Sequence, residues 1–130
     1  MTIYKTADTA KPEITAACIV RFSSLEGPQI HENETHACWG VQSVDIDPDG
    51  GYLLVKHSTG GGKIGAIIAC PDETLSARGI IAGGSGGGGT TRIRLTKIGY
   101  GPLDLRDAAD YRQVYGAYSN LWLAFVHAMG

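Results

Sequence analysis

Apolar residues in this chain alternate with polar ones over short runs, and glycine-bearing turns separate the runs. Alternation with period two is the mark of half-buried strands, whereas a helix would repeat its apolar positions every three to four residues. AACIVRF (16–22) places Cys18, Val20 and Phe22 on one face and Ala17, Ile19 and Arg21 on the other. CWGVQSVDI (38–46) and YLLVKH (52–57) flank the turn DPDGG (47–51), where Pro48 can preset φ and Gly50 and Gly51 can take positive φ. TTRIRLTKI (90–98) turns Ile93 and Leu95 inward and Arg92, Arg94 and Thr96 outward. IGAIIAC (64–70) is apolar on both faces, LSARGIIAG (75–83) reads as a further strand, and GSGGGG (84–89) as a flexible loop. The one helical turn expected is DLRDAADY (104–111), whose acids suit the positive end of a helix dipole.

Seven or eight short strands without a helix of ordinary length predict an all-β fold, an antiparallel β-sandwich or jelly roll. A parallel α/β fold is excluded, because its crossovers need helices that this sequence lacks. The chain of 130 residues is long enough for one core and too short for two. Residues 1–15, with Pro12 opposed to regular pairing, are expected to form an extended N-terminal arm, leaving 16–130 as the sandwich domain.

Composition narrows the function classes. A hydrophobic share of 43% argues against disorder throughout, and the 19 glycines follow no G-X-Y repeat. A net charge of −2 makes nucleic acid a poor partner. No apolar run reaches membrane-spanning length, and the polar segment from Met1 to Lys11 does not read as a signal peptide, so a cytoplasm-like compartment is expected. Cys18, Cys38 and Cys70 are widely spaced and read as free, buried, small hydrophobes.

The chemical motifs are weak. Asp45, Asp47 and Asp49 start like a calcium loop, but the twelfth position is Lys56 where a bidentate glutamate is needed, so a hairpin turn is expected instead. Gly62-Lys63 is followed by Ile64, not by the Ser or Thr of a phosphate-binding loop. His31, His36, His57 and His127 show no metal-ligand spacing, and there is no G-x-S-x-G. No metal, cofactor or catalytic residue is therefore assigned. Glu26, Glu32 and Glu34 share one loop and are the residues on which a glycan-hydrolase reading would have to stand.

Two groups of residues are candidates for binding. Tyr100, Tyr111, Tyr115 and Tyr118, with Asp104 among the neighbouring charges, offer flat apolar area plus directional polar groups, as a glycan- or protein-binding face does; packing of the loop onto the sheet is the competing reading. The closing run LWLAFVHA (121–128) is apolar on both faces, with Leu121, Leu123 and Phe125 on one and Trp122, Ala124 and Val126 on the other. A small sandwich covers one face of each sheet, so Leu121, Trp122, Leu123, Phe125 and Val126 are the expected oligomer interface.

The order of these motifs resembles the C-terminal domains of bacteriophage tail fibres and virion appendages. Ala17-Cys18-Ile19-Val20-Arg21-Phe22 is similar to their A-x-V-x-F opening strand. Gly40-Val41-Gln42-Ser43-Val44 with Asp49-Gly50-Gly51-Tyr52-Leu53-Leu54-Val55 is similar to their V-x-S-[IV] strand, turn and G-x-Y-x-V-x-F strand. Thr91-Arg92-Ile93-Arg94-Leu95 with Leu103-Asp104 resembles their late strand and loop, and Leu121 to Ala128 their apolar last strand. Lys56-His57 departs from the pattern where those strands end on an aromatic residue, and the glycine loops are insertions.

The resemblance implies a trimeric β-sandwich knob on a virion. The expectation is a non-enzymatic phage structural protein, a short fibre tip or capsid decoration assembled in the host cytoplasm. Its arm, with Ile3, Tyr4 and Lys5, would hold capsid, collar or tail through added strand pairing. Its outward role is either host attachment through surface polysaccharide or reinforcement of the shell as a cement protein. A freestanding carbohydrate-binding module is the alternative from another class.

Overall fold

In a computed structural model of the chain, the described backbone comprises residues 11–32, 38–57, 63–87 and 89–129, and the described side chains 14, 16–32, 38–57, 67–86 and 89–126. The strands are β1 (Lys11–Arg21), β2 (Gln29–His31), β3 (Val41–Ile46), β4 (Leu53–His57), β5 (Lys63–Pro71), β6 (Ile80–Gly87), β7 (Thr90–Lys97), β8 (Gly101–Pro102) and β9 (Asn120–Met129). Two short helices, α1 (Glu73–Ala77) and α2 (Ala108–Tyr111), lie between them.

The strands form two antiparallel sheets, ordered β2-β1-β9-β5 and β3-β4-β7-β6, with β8 paired to β7. Period-two alternation decides what lies between them. Ala16, Cys18, Val20 and Phe22 from β1 and its end, with Leu121, Leu123 and Phe125 from β9, meet Val44, Leu53, Val55, Ile80, Ile93 and Leu95 of the second sheet. Phe22, Phe125, Leu53 and Ile93 are wholly buried, and burying a side chain of that size stabilises by roughly 1.5–3 kcal/mol. This is an all-β sandwich.

The hairpin β3–β4 follows its sequence signal. Gly51 sits at φ +71°, the left-handed region open to glycine, and its N–H donates to Asp47 O at 2.9 Å. The Asp47 carboxylate accepts the Asp49 N–H at 2.9 Å, so it shapes the turn. His57 closes β4 at the place where the resembled strands carry an aromatic. Its imidazole is buried, stacks on Phe125 with ring centroids 4.3 Å apart, and is hydrogen-bonded through Nε2 to Thr91 Oγ1 at 2.8 Å. The histidine packs as a ring within the core and adds a polar tie to β7.

Three expectations need correction. The boundary of the arm moves: residues 11–15 belong to β1, with Pro12 opposite Ala128 and Ile14 opposite Val126. Over that stretch, among the described residues, β1 pairs with β9 alone, since β2 reaches only Ile19–Arg21, and a strand flank open on one side tolerates proline. Residues 1–10, including Ile3, Tyr4 and Lys5, lie outside the described residues.

The expected strand at 75–83 is instead α1 followed by β6. Asp72 caps the helix by accepting the Leu75 N–H at 3.0 Å, and Gly79 ends the turn at φ +76°. The expected loop at 84–89 is largely strand: Gly84 pairs with Ile93, Ser85 with Arg92 and Gly86 with Thr91. A side chain at Gly84 would press on Ile67 of the facing sheet, and one at Gly86 would meet the β7 backbone at 2.5 Å, so the glycines let strand and sheet approach.

Candidate functional site

The two outward faces of the sandwich differ in kind. On the second sheet, β4 and β7 turn Lys56, Arg92, Arg94 and Thr96 outward around Tyr52. Arg94 lies over the Tyr52 ring, 4.0 Å from its centroid, while donating to Leu103 O at 2.9 Å and Gly50 O at 3.0 Å. That face is largely polar and tied to its loops by arginine, with Ile81 of β6 exposed beside Thr96.

On the first sheet the register sets apolar residues side by side. Trp39 bridges to Ala17, which pairs with Ala124, which pairs with Ile68. In the adjacent row His31 pairs with Ile19, Ile19 with Trp122, and Trp122 with Cys70. Ile14 opposite Val126 begins the next row. Trp39 is 50% exposed, Ile68 50%, Ile14 53% and Trp122 43%. Among the described residues of this face charge enters at the margin, where Arg21 Nη2 lies 3.3 Å from His31 Nε2. Both tryptophans of the chain stand on this face.

The expected interface residues divide between the two sides of β9. Leu121, Leu123 and Phe125 are 0–3% exposed and belong to the core of the single chain, so they do not form an outer surface; Trp122 and Val126 do. Cys70, expected to be buried, is exposed beside Trp122. Cys18 is buried, and desolvation, with Cys38 nearby, pushes its thiol up to about 12. Alternation in the last strand had marked Trp122 and Val126. Ile14, Trp39 and Ile68 were missed, although the two-sided apolar pattern of 64–70 was a signal for Ile68.

The loop region at 100–118 does not gather its tyrosines into one site. Tyr100 donates to Asp110 Oδ1 at 2.5 Å, and that hydrogen bond pushes its phenol up; Asp110 Oδ2 accepts the Asp104 N–H at 2.8 Å. Tyr111 is buried, meets Phe22 edge-on at 6.3 Å and donates to Ser24 O at 2.7 Å; desolvation raises its phenol to about 12. Tyr115 packs against the core, and Tyr118 stands in solvent. Asp104 is bound bidentately by Arg106, at 2.9 Å to Oδ1 and 2.8 Å to Oδ2, and these hydrogen bonds lower its carboxyl to about 2.

Arg106 also donates to Pro48 O at 2.7 Å, which fastens the loop to the β3–β4 turn. Beside it runs a groove of about 500 Å³ between the 25–27 turn, the end of β3 and α2, lined by Ile46, Leu105, Tyr111 and Arg112 among others. Of the five residues expected to bind, Tyr111 lines this groove and Asp104 steadies a second lining residue, Arg106.

Among the described residues no three His, Cys, Asp or Glu side chains converge as metal ligands would, and Glu26 and Glu32 are solvent-exposed. No helix of the described residues is long and apolar enough to cross a membrane. Neither a protein-family model, nor a curated protein, nor a solved structure matches this chain.

Proposed function

We propose that the chain is a non-enzymatic structural subunit that works as a closed homo-oligomer, a trimeric knob or decoration of a bacteriophage virion. The observation that carries this reading is the outward face of β1, β9 and β5. Ile14, Trp39, Ile68 and Trp122 together leave on the order of 400 Å² of apolar surface in water, within the range of the largest, often functional, patches on monomers. A standard interface takes about 800 Å² from each partner, so this patch supplies its apolar centre and the polar margin around Arg21 and His31 its rim.

A second copy of the chain is the occupant, because the residues described on the patch carry no charge that would select a different partner. Three copies are chosen over two by the resemblance of the opening strand, the hairpin and the closing strand to trimeric virion knobs. Residues 1–10 would then engage capsid, collar or tail, leaving the far end of each sandwich to face outward.

Sedimentation equilibrium tests the reading. The native chain is expected at three times 13.7 kDa, and Trp122→Glu at 13.7 kDa with an unchanged far-ultraviolet circular dichroism spectrum. A native chain that stays at 13.7 kDa at tens of micromolar overturns it.

A further inference from the structure

We infer that the groove between the 25–27 turn, the end of β3 and α2 is a binding site for an acidic saccharide, a sugar that carries a carboxylate. Its volume, about 500 Å³, lies in the range of small-molecule sites. The floor is apolar, from Ile46, Leu105 and Tyr111, and Leu25 projects beside it with 60% of its surface exposed.

The polar groups are arranged for a ligand. Arg106 is held by three donated hydrogen bonds, two to Asp104 and one to Pro48 O, so it is fixed in place before any ligand arrives. A guanidinium has five N–H donors, so two remain. Arg112, the residue that follows α2, also lines the groove, and its guanidinium has no hydrogen-bonding or ionic partner among the described residues. The same holds for the Glu26 carboxylate on the 25–27 turn. Asp104 neutralises Arg106, and the remaining lining charges, Arg112 and Glu26, balance, so the ligand's carboxylate is drawn to Arg112 locally and not by a net positive field. The unpartnered Glu26 can accept its hydroxyls, and the apolar floor faces the C–H side of a sugar ring. The groove shares no residue with the outward apolar face, so the inference stands whether or not copies associate.

The test is an ¹H–¹⁵N titration of the full chain and of Trp122→Glu with D-glucuronate, and with D-glucose as the neutral counterpart. Glucuronate is expected to shift the amides of Leu25, Ile46, Leu105 and Tyr111 in both proteins, with at least tenfold weaker response to glucose. Arg112→Gln should remove that preference, Arg112→Lys should keep part of it, and Arg92→Gln on the second sheet should leave it intact. The inference fails if glucuronate at tens of millimolar shifts none of these amides, if glucose does as well, or if Arg112→Gln changes nothing. Because Trp122→Glu carries the same groove, failure of the oligomer leaves this result readable.

Discussion

Replacing Phe125 with alanine removes the ring at the centre of the sandwich. Phe125 is wholly buried on the inward face of β9 and stacks on His57, so its loss leaves a cavity between the sheets and strips the imidazole of its ring contact. Phe→Ala at such a site costs about 3–5 kcal/mol, of which roughly 0.5–1.5 kcal/mol is the ring pair itself. A small domain has about 5–15 kcal/mol in total, so the variant stays folded with little margin. With a urea slope of about 1–3 kcal/mol per molar, the unfolding midpoint falls by roughly 2 M. The assay is urea unfolding followed by circular dichroism at two protein concentrations, because association would add a concentration-dependent contribution. A loss below about 1 kcal/mol would refute the placement of this face of β9 in the core.

Two pH limbs follow from the shifted groups. Cys18 and Tyr111 are raised in the folded chain, from 9.0 and 10.0 to about 12, so the stability they carry is complete below about pH 9 and is lost as pH rises toward 12; thermal unfolding across that window should show the decline, and iodoacetamide at pH 8 should leave Cys18 unmodified until denaturant is added. Asp104 is lowered from 3.8 to about 2 by the hydrogen bonds of Arg106, so its contribution is present above about pH 4 and is lost as pH falls toward 2; Asp104→Asn should flatten that acid limb in a melting series, and an unchanged limb would contradict the Arg106 tie.

What the sequence disclosed depended on whether side chains carried the signal. β7 was legible because Ile93 and Leu95 alternate with Arg92 and Arg94, and the β3–β4 hairpin because Asp47–Gly51 can only turn. β6 was hidden, since a run of glycines has no face to alternate. The five-residue α1 is too short for periodicity, and its readable signals were local: Asp72 as the cap, Glu73 in the first turn and Gly79 beyond the end. Pro12 argued for an arm, and only the one-sided pairing of β1 at that point explains why a strand accepts it.

In β9, apolarity on both sides could not say which side faces the second sheet. The structure resolves it in favour of Phe125 and leaves Trp122 outside. The groove joins Glu26, Ile46 and Arg112, residues far apart along the chain, and no local pattern could have announced it.

The tryptophans offer the most direct test of the claim that copies cover this face. Trp39 and Trp122 are the only two in the chain and both stand on it, so tryptophan emission, excited beyond the tyrosine absorption band, reports that surface. The account predicts blue-shifted emission resistant to iodide quenching at micromolar concentration and above, shifting red and becoming quenchable on dilution or in Ile68→Glu. Emission that is quenched freely at every concentration, and identical in Ile68→Glu, would contradict it.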